Sequence, residues 1–202
     1  FRQTGSFFGM DFIFGEIPDT LDPFNFETFA ASPCDFYAGA TDMETGQAVF
    51  FGKDDVQPGL HVIRASCSMP LLSPIVEYNG RKYLDGGISA PIPIDKALND
   101  GCDKLLVVLT RERGYRKKPQ RIQLLYHNKY HQYPNFVRTM NLRHLVYNHT
   151  LERLARLETS GRAIIIAPPQ PLPVDRMGKD RDKLIAGYNV GLEAGFHALD
   201  LL

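Results

Sequence analysis

Short apolar runs of strand length recur along the chain, each bounded by turn residues. They lie at 35–42, 47–51, 75–83, 104–110 and 162–167. The third run contains Asn79-Gly80, a dipeptide that favours a two-residue hairpin turn. The last two runs are continuously apolar, which predicts parallel strands that are buried on both faces.

Helical spacing of apolar residues marks the segments between and after these runs. The predicted helices cover about 9–17, 24–31, 60–69, 94–99, 120–158 and 179–202. Pro70 and Asp100-Gly101 are predicted to end the third and fourth of them. In the last helix, Gly187, Gly191 and Gly195 recur at every fourth position and predict a close approach by another element. Helices alternating with buried-type strands predict an α/β fold with a largely parallel sheet.

Composition restricts the class of protein more than its function. The chain has 202 residues, 44% of them hydrophobic and 23% charged, which suits a single globular domain over 1–202. Its formal net charge is zero, so charge provides no general attraction to nucleic acid. No apolar run approaches the roughly 20 residues of a membrane span.

Cysteine usage bears on the compartment. Cys34, Cys67 and Cys102 are widely spaced, without a C-x-x-C pair or a metal-ligand pattern. Three cysteines without a disulfide framework predict reduced, buried thiols in a cytoplasmic protein, and one disulfide is the alternative.

The segment Tyr83-Leu84-Asp85-Gly86-Gly87 is the strongest candidate for chemistry. An aspartate at the end of a short apolar run, followed by two glycines, can be held as a fixed general base. Glycines permit a backbone turn with positive φ and the close approach of a neighbouring loop. The alternative is an ordinary turn between strands, which Asp-Gly also favours.

Several ordered segments around Asp85 together resemble the patatin-like phospholipase family. They are 36–46, 64–74, 83–87 and Pro91-Ile92-Pro93, with the strand 105–109 after them. The resemblance covers residues 20–110 well and 160–200 loosely. It implies a three-layer α/β/α sandwich with a largely parallel sheet, of which this chain holds the C-terminal two-thirds.

The same resemblance implies a serine lipid acyl hydrolase that uses a Ser–Asp dyad. Asp85 would be the base, Gly86 and Gly87 would shape its turn, and no metal or organic cofactor is implied. Lipid or ester molecules would be the substrates.

The serine that should accompany this base is not recognisable. The family's nucleophile lies in a G-x-S-x-G motif, and this chain contains none. Gly5-Ser6-Phe7-Phe8-Gly9 has the serine one place too early, and Gly87-Ile88-Ser89-Ala90-Pro91 ends in proline. We therefore expect an N-terminally truncated domain that is inactive by itself. A non-catalytic patatin-like module for lipid or protein binding is the alternative.

Other candidate sites have simpler explanations. Ser66 and Ser68 are alternative nucleophiles, with His61 as a base, but small residues in a packed helix explain both serines better. His127 and His131 share a helical face but lack the Glu of an H-E-x-x-H zinc motif, so a solvated face is favoured over a metal site.

A basic segment at 111–121 is predicted to contact phosphate headgroups or another anionic surface, through Arg116, Lys117 and Lys118. Only Glu112 opposes its charge in the sequence. The protein would then be cytoplasmic and peripheral to a membrane, without nucleic acid as a partner. The truncated domain would expose apolar surface, which predicts self-association.

Overall fold

A computed structural model describes residues 9–174 and 178–199 of the chain. The α-helices are α1 (Phe26–Ala31), α2 (His61–Cys67), α3 (Ile94–Asn99), α4 (Gln123–Tyr130), α5 (Pro134–Thr159) and α6 (Arg181–Leu199). The strands are β1 (Ala38–Asp42), β2 (Ala48–Phe51), β3 (Val76–Tyr78), β4 (Arg81–Asp85), β5 (Leu105–Val108) and β6 (Ala163–Ile166). A π-helix, Phe12–Leu21, precedes α1, and 3₁₀ turns occur at Lys53–Asp55 and Gly86–Ile88.

The chain divides into two compact units. The first contains the residues up to Ile92 together with Lys118–Tyr147, and the second contains Pro93–Lys117 and the residues from Asn148 onward. Helix α5 contributes its first part to the first unit and its remainder to the second. One domain over 1–202 stays a prediction.

The sheet of the first unit is antiparallel. Its strand order is β2-β1-β4-β3, and each neighbouring pair runs in opposite directions. The connections β1–β2 and β3–β4 are short turns, and parallel strands would need a crossover of a dozen or more residues. The largely parallel sheet predicted from the sequence is therefore not confirmed.

The predicted hairpin at Asn79-Gly80 is confirmed. Asn79 and Gly80 have φ values of 49° and 73°, so both lie in the left-handed region that a type I′ turn requires. Val76 pairs with Tyr83 across the two strands that the turn joins.

Strand β4 lies between β1 and β3, and its two faces pack into different core clusters. Tyr83 belongs to a cluster with Phe51, and the two rings meet edge to face with centroids 5.1 Å apart. Leu84 is fully buried in the other cluster, beside Ile88. Because successive side chains of a strand point to opposite faces, these two residues fix the register of Asp85.

The second unit contains the pair β5–β6, which is parallel as predicted. Its predicted burial on both faces is wrong: Leu105 is buried, but Leu106 and Val108 are 52% and 68% exposed. This alternation is typical of strands with one covered face.

Helix α6 confirms the predicted C-terminal helix, and the predicted close approach to its glycines is confirmed at Gly187 but not at Gly191 or Gly195. A Cβ atom on Gly187 would lie 3.3 Å from Val174 Cγ1, whereas among the described residues nothing lies within 4 Å of that position on Gly191 or Gly195. Several large apolar residues of α6 are exposed, namely Leu184, Ile185, Tyr188, Leu192, Phe196 and Leu199. The predicted self-association stays a prediction.

All three cysteines are free thiols, and all three are exposed, so their predicted burial is wrong. Cys34 follows a Ser-Pro loop, and Cys102 lies in the turn after α3, where little can cover either side chain. Among the described helices, none has the length and hydropathy needed to cross a membrane.

Candidate active site

Asp85 is the last residue of β4 and is half-buried. Its backbone N–H donates to the carbonyl oxygen of Ser68 at 2.8 Å, and its carbonyl oxygen accepts from Thr41 Oγ1 at 2.8 Å. Thr41 is fully buried and also lies 2.7 Å from Ser89 Oγ, so it links the two ends of the turn. Both sides of the Asp85 backbone are thus fixed by neighbouring elements.

The Asp85 side chain caps the 3₁₀ turn that follows it. Its Oδ1 accepts the backbone N–H of Gly87 at 2.6 Å. The bond orients the carboxylate and leaves Oδ2 outside it. An oriented carboxylate at a strand end can remove a proton from a hydroxyl group placed within about 3 Å.

Close contacts, and not positive φ, account for the two glycines, and the contact is much tighter at Gly86 than at Gly87. A Cβ atom on Gly86 would lie 2.2 Å from the carbonyl oxygen of Gly39 in β1. A Cβ atom on Gly87 would lie 3.0 Å from Asp85 Oδ1 and 3.3 Å from an Arg143 guanidinium nitrogen. Neither glycine has a φ in the left-handed region. The positive φ expected from the sequence is therefore wrong, and the expected close approach is confirmed.

The alternative serines have structural roles or no evident partner. Ser68 is fully buried, and its Oγ donates to the carbonyl oxygen of Arg64 at 2.7 Å, which is typical of a serine packed inside a helix end. Ser66 is half-buried, and His61 is exposed at the start of α2. Ser6 lies outside the described residues.

Cys67, at the end of α2, is electrostatically coupled to Asp85. Partial burial, and then the negative charge of Asp85, raise the pKa of the Cys67 thiol, although the residue remains exposed enough for a small reagent to reach it. A raised pKa means that less reactive thiolate is present at a given pH. Cys67 can therefore report the charge on Asp85.

We predict that Asp85→Asn accelerates the alkylation of Cys67 by iodoacetamide at mildly alkaline pH. Removal of the negative charge lowers the pKa of the thiol and increases its thiolate fraction. The measurement is the alkylation rate against pH, by mass spectrometry, in a chain that also carries Cys34→Ser and Cys102→Ser. Asp54→Asn, at an exposed position, is the control and should leave the rate unchanged. An unchanged rate in Asp85→Asn would contradict the coupling.

Asp42 anchors the turn that joins β1 to β2. The residue is 1% exposed, and its Oδ1 accepts the backbone N–H groups of Glu44 and Thr45 at 3.0 and 2.8 Å. Its Oδ2 lies 2.9 Å from Arg81 Nε, close enough for an ion pair but without the alignment of a good hydrogen bond. Asp42 pairs with Tyr83 in the neighbouring strand, so this turn lies beside β4.

The basic segment is more fully paired than its sequence indicates. Arg113 donates to both carboxylate oxygens of Glu158 at 2.9 and 2.8 Å, which lowers the pKa of Glu158. Arg116 forms an ion pair with Glu152 at 3.4 Å. Glu112 is therefore not the only opposing charge, because α5 supplies two more acids. The sequence could not reveal these partners, which lie about 40 residues further on.

The backbone N–H and carbonyl groups of Lys117 are both held by the side chain of Asn148 in α5. Lys117 donates its N–H to the side-chain oxygen of Asn148 at 2.8 Å and accepts from the amide nitrogen of Asn148 at 3.0 Å. Lys118 is exposed.

The histidines in and just after α4 give no support to a metal site. His131, the residue after α4, has its Nδ1 3.0 Å from the carbonyl oxygen of Asn128 in that helix. Across residues 9–174 and 178–199, no group of three or more His, Cys, Asp or Glu residues is arranged to hold a metal ion.

Arg143 is a site residue that the sequence analysis missed. Its Nε donates to the carbonyl oxygen of Gly87 at 2.5 Å, so an arginine of α5 contacts the turn that Asp85 caps. The available signal was the helical spacing of Asn135, Thr139 and Arg143, which places three hydrogen-bond donors on one face of α5.

Two family models match different parts of the chain. Residues 1–98 match Patatin-like phospholipase, and residues 133–202 match a Domain of unknown function (DUF6363). The first match includes Asp85, Gly86 and Gly87. It supports the family resemblance in the N-terminal part of the chain and not over 160–200, which the second match covers. The first match indicates a lipid hydrolase family.

Proposed function

We propose that Asp85 is the general base of a Ser–Asp dyad in a patatin-like lipid acyl hydrolase. The observation that carries the proposal is the Asp85 carboxylate, oriented by the Gly87 N–H at the end of β4, within the residues that match the family. The backbone of Asp85 also forms hydrogen bonds with Ser68 and Thr41, and these bonds hold the proposed base in place before any substrate binds. Pre-arranged groups of this kind avoid a reorganisation cost during reaction.

The proposed reaction proceeds through an acyl-enzyme. Asp85 removes the proton of a serine hydroxyl as the serine oxygen attacks the ester carbonyl carbon. The proton then passes from Asp85 to the departing alcohol as the ester bond breaks. In the second half, Asp85 removes a proton from water, whose oxygen attacks the acyl carbon, and the serine leaves with that proton.

The serine in this proposal belongs to a G-x-S-x-G motif outside these 202 residues. The second candidate is a non-catalytic patatin-like module for lipid or protein binding, which the absence of that motif from the chain favours. A serine-directed fluorophosphonate probe distinguishes the two. The hydrolase proposal expects labelling of the complete natural protein and none of the isolated chain; a complete protein that is not labelled would favour the binding module.

The basic segment is proposed to bind anionic headgroups at a membrane surface. Charge reversal at Arg116, Lys117 and Lys118 in the complete protein is expected to weaken binding to phosphatidylserine-containing vesicles by about tenfold or more, since each cation near such a surface contributes about 1 kcal/mol. Vesicle co-sedimentation at low ionic strength measures the effect.

The matched control for this experiment is charge reversal at three other exposed cations, Lys129, Arg138 and Lys183. If general electrostatic attraction were responsible, both triple variants would lose binding equally. Such a result, or unchanged binding in the first variant, would refute a specific role for the basic segment.

A further inference from the structure

Three side chains on one face of α5 bind backbone carbonyl groups of two turns. Asn135 Nδ2 donates to Glu44 O at 2.9 Å, and Thr139 Oγ1 donates to Gly46 O at 2.8 Å. Both carbonyls belong to the β1–β2 turn. One helical turn further along, Arg143 Nε donates to the carbonyl oxygen of Gly87. The spacing of four residues keeps the three donors in one row along the helix.

Apolar packing fixes the position of the helix that carries this row. Phe136 is fully buried, and Met140 is 4% exposed. Both lie in the cluster that contains Leu84 and Ile88, the residues that flank the Asp85-Gly86-Gly87 turn. The helix is thus held against the turn by its packing on Leu84 and Ile88, which lie on either side of Asp85-Gly86-Gly87.

The guanidinium of Arg143 and the carboxylate of Asp85 face the same small space. Both lie close to the point that a Cβ atom on Gly87 would occupy. The N–H of Gly87 binds the Asp85 carboxylate, and its carbonyl oxygen binds Arg143. One residue therefore connects the proposed base to α5.

We propose that Arg143 is a positioning residue for Asp85 and that the first part of α5 completes the candidate active site. Arg143 fixes the Gly87 peptide group, and this peptide group orients the carboxylate. The catalytic consequence rests on the proposed function. The proposal also gives a role to the start of the 133–202 region, which matches a family of unknown function.

The test compares Arg143→Met, Arg143→Lys and Arg138→Met in the complete chain. Arg138 is exposed on the same helix and serves as the matched control. Amide hydrogen exchange, resolved by NMR, is measured at Gly87 and at Ala90, whose N–H donates to Gly86 O. Arg143→Met should accelerate exchange at these two amides, Arg143→Lys should restore part of the protection, and Arg138→Met should change neither.

The second measurement is ester hydrolysis by the complete natural protein. Arg143→Met should lower kcat by about 10- to 100-fold with little change in KM, because a small displacement of a catalytic group carries that cost. Partial rescue of kcat by Arg143→Lys would support positioning through a hydrogen bond.

The outcomes separate the two proposals. Unchanged exchange at Gly87 in Arg143→Met, or exchange accelerated equally throughout the first unit, would overturn the positioning role. If Arg143→Met accelerates exchange at Gly87 while Asp85→Asn leaves hydrolysis intact, the contact between α5 and the turn is upheld, and the proposed dyad is refuted.

Discussion

Asp85→Asn in the complete natural protein is expected to lower the rate of ester hydrolysis by roughly 10⁴-fold. Loss of the aspartate alone has about this effect in a serine hydrolase triad, where a histidine still acts as the base. In the proposed dyad Asp85 is itself the base, so the loss should be at least as large. An asparagine retains an oxygen that can accept the Gly87 N–H but cannot take up a proton.

The measurement is kcat with a chromogenic ester, alongside circular dichroism to verify folding. Asp54→Asn, an exposed aspartate in the same unit, is the control and should retain full activity. Activity within a few-fold of the unaltered protein in Asp85→Asn would refute the assignment of the base.

Asp42→Ala is expected to lower the free energy of unfolding by about 3 kcal/mol. The substitution leaves the backbone N–H groups of Glu44 and Thr45 without their acceptor and removes the partner of Arg81. Each partly buried donor left unsatisfied costs about 1–3 kcal/mol, reduced here where water can reach it. Urea unfolding monitored by circular dichroism measures the change.

A graded pair of variants tests the cause. Asp42→Asn keeps an acceptor oxygen for the two N–H groups but removes the charge, so it should cost clearly less than Asp42→Ala. Asp19→Ala, at an exposed position, should change stability by less than about 0.5 kcal/mol. Equal losses for Asp42→Asn and Asp42→Ala would show that the ion pair, and not the turn, provides the stability.

Local features of the fold were predictable from the sequence. Asn79-Gly80 determined a hairpin because few dipeptides accept two consecutive left-handed residues. Apolar runs located β1, β2, β5 and β6 within a few residues. Pairing beyond the two hairpins was harder to predict: the alternation of helices and strands suggested parallel neighbours, whereas β1 and β4 pair antiparallel.

The candidate site was predictable only at its centre. Asp85 and its two glycines form a contiguous motif, so the sequence displays them together. The groups that hold them are distant in sequence: Thr41 and Arg143 lie 44 and 56 residues from the atoms they bind. No local pattern records such contacts, because they depend on how β1 and α5 pack against β4. For the same reason, the acidic partners of Arg113 and Arg116 could not be predicted.

The packing of β4 into two core clusters has a consequence for how this part of the chain can change during evolution. An extra residue in the Asn79-Gly80 loop would alter only a surface turn. An extra residue between Tyr83 and Asp85 would exchange the two faces of the strand and turn the carboxylate away from Gly87. We expect related sequences to vary in the Asn79-Gly80 loop, while the number of residues from Tyr83 to Gly87 stays constant.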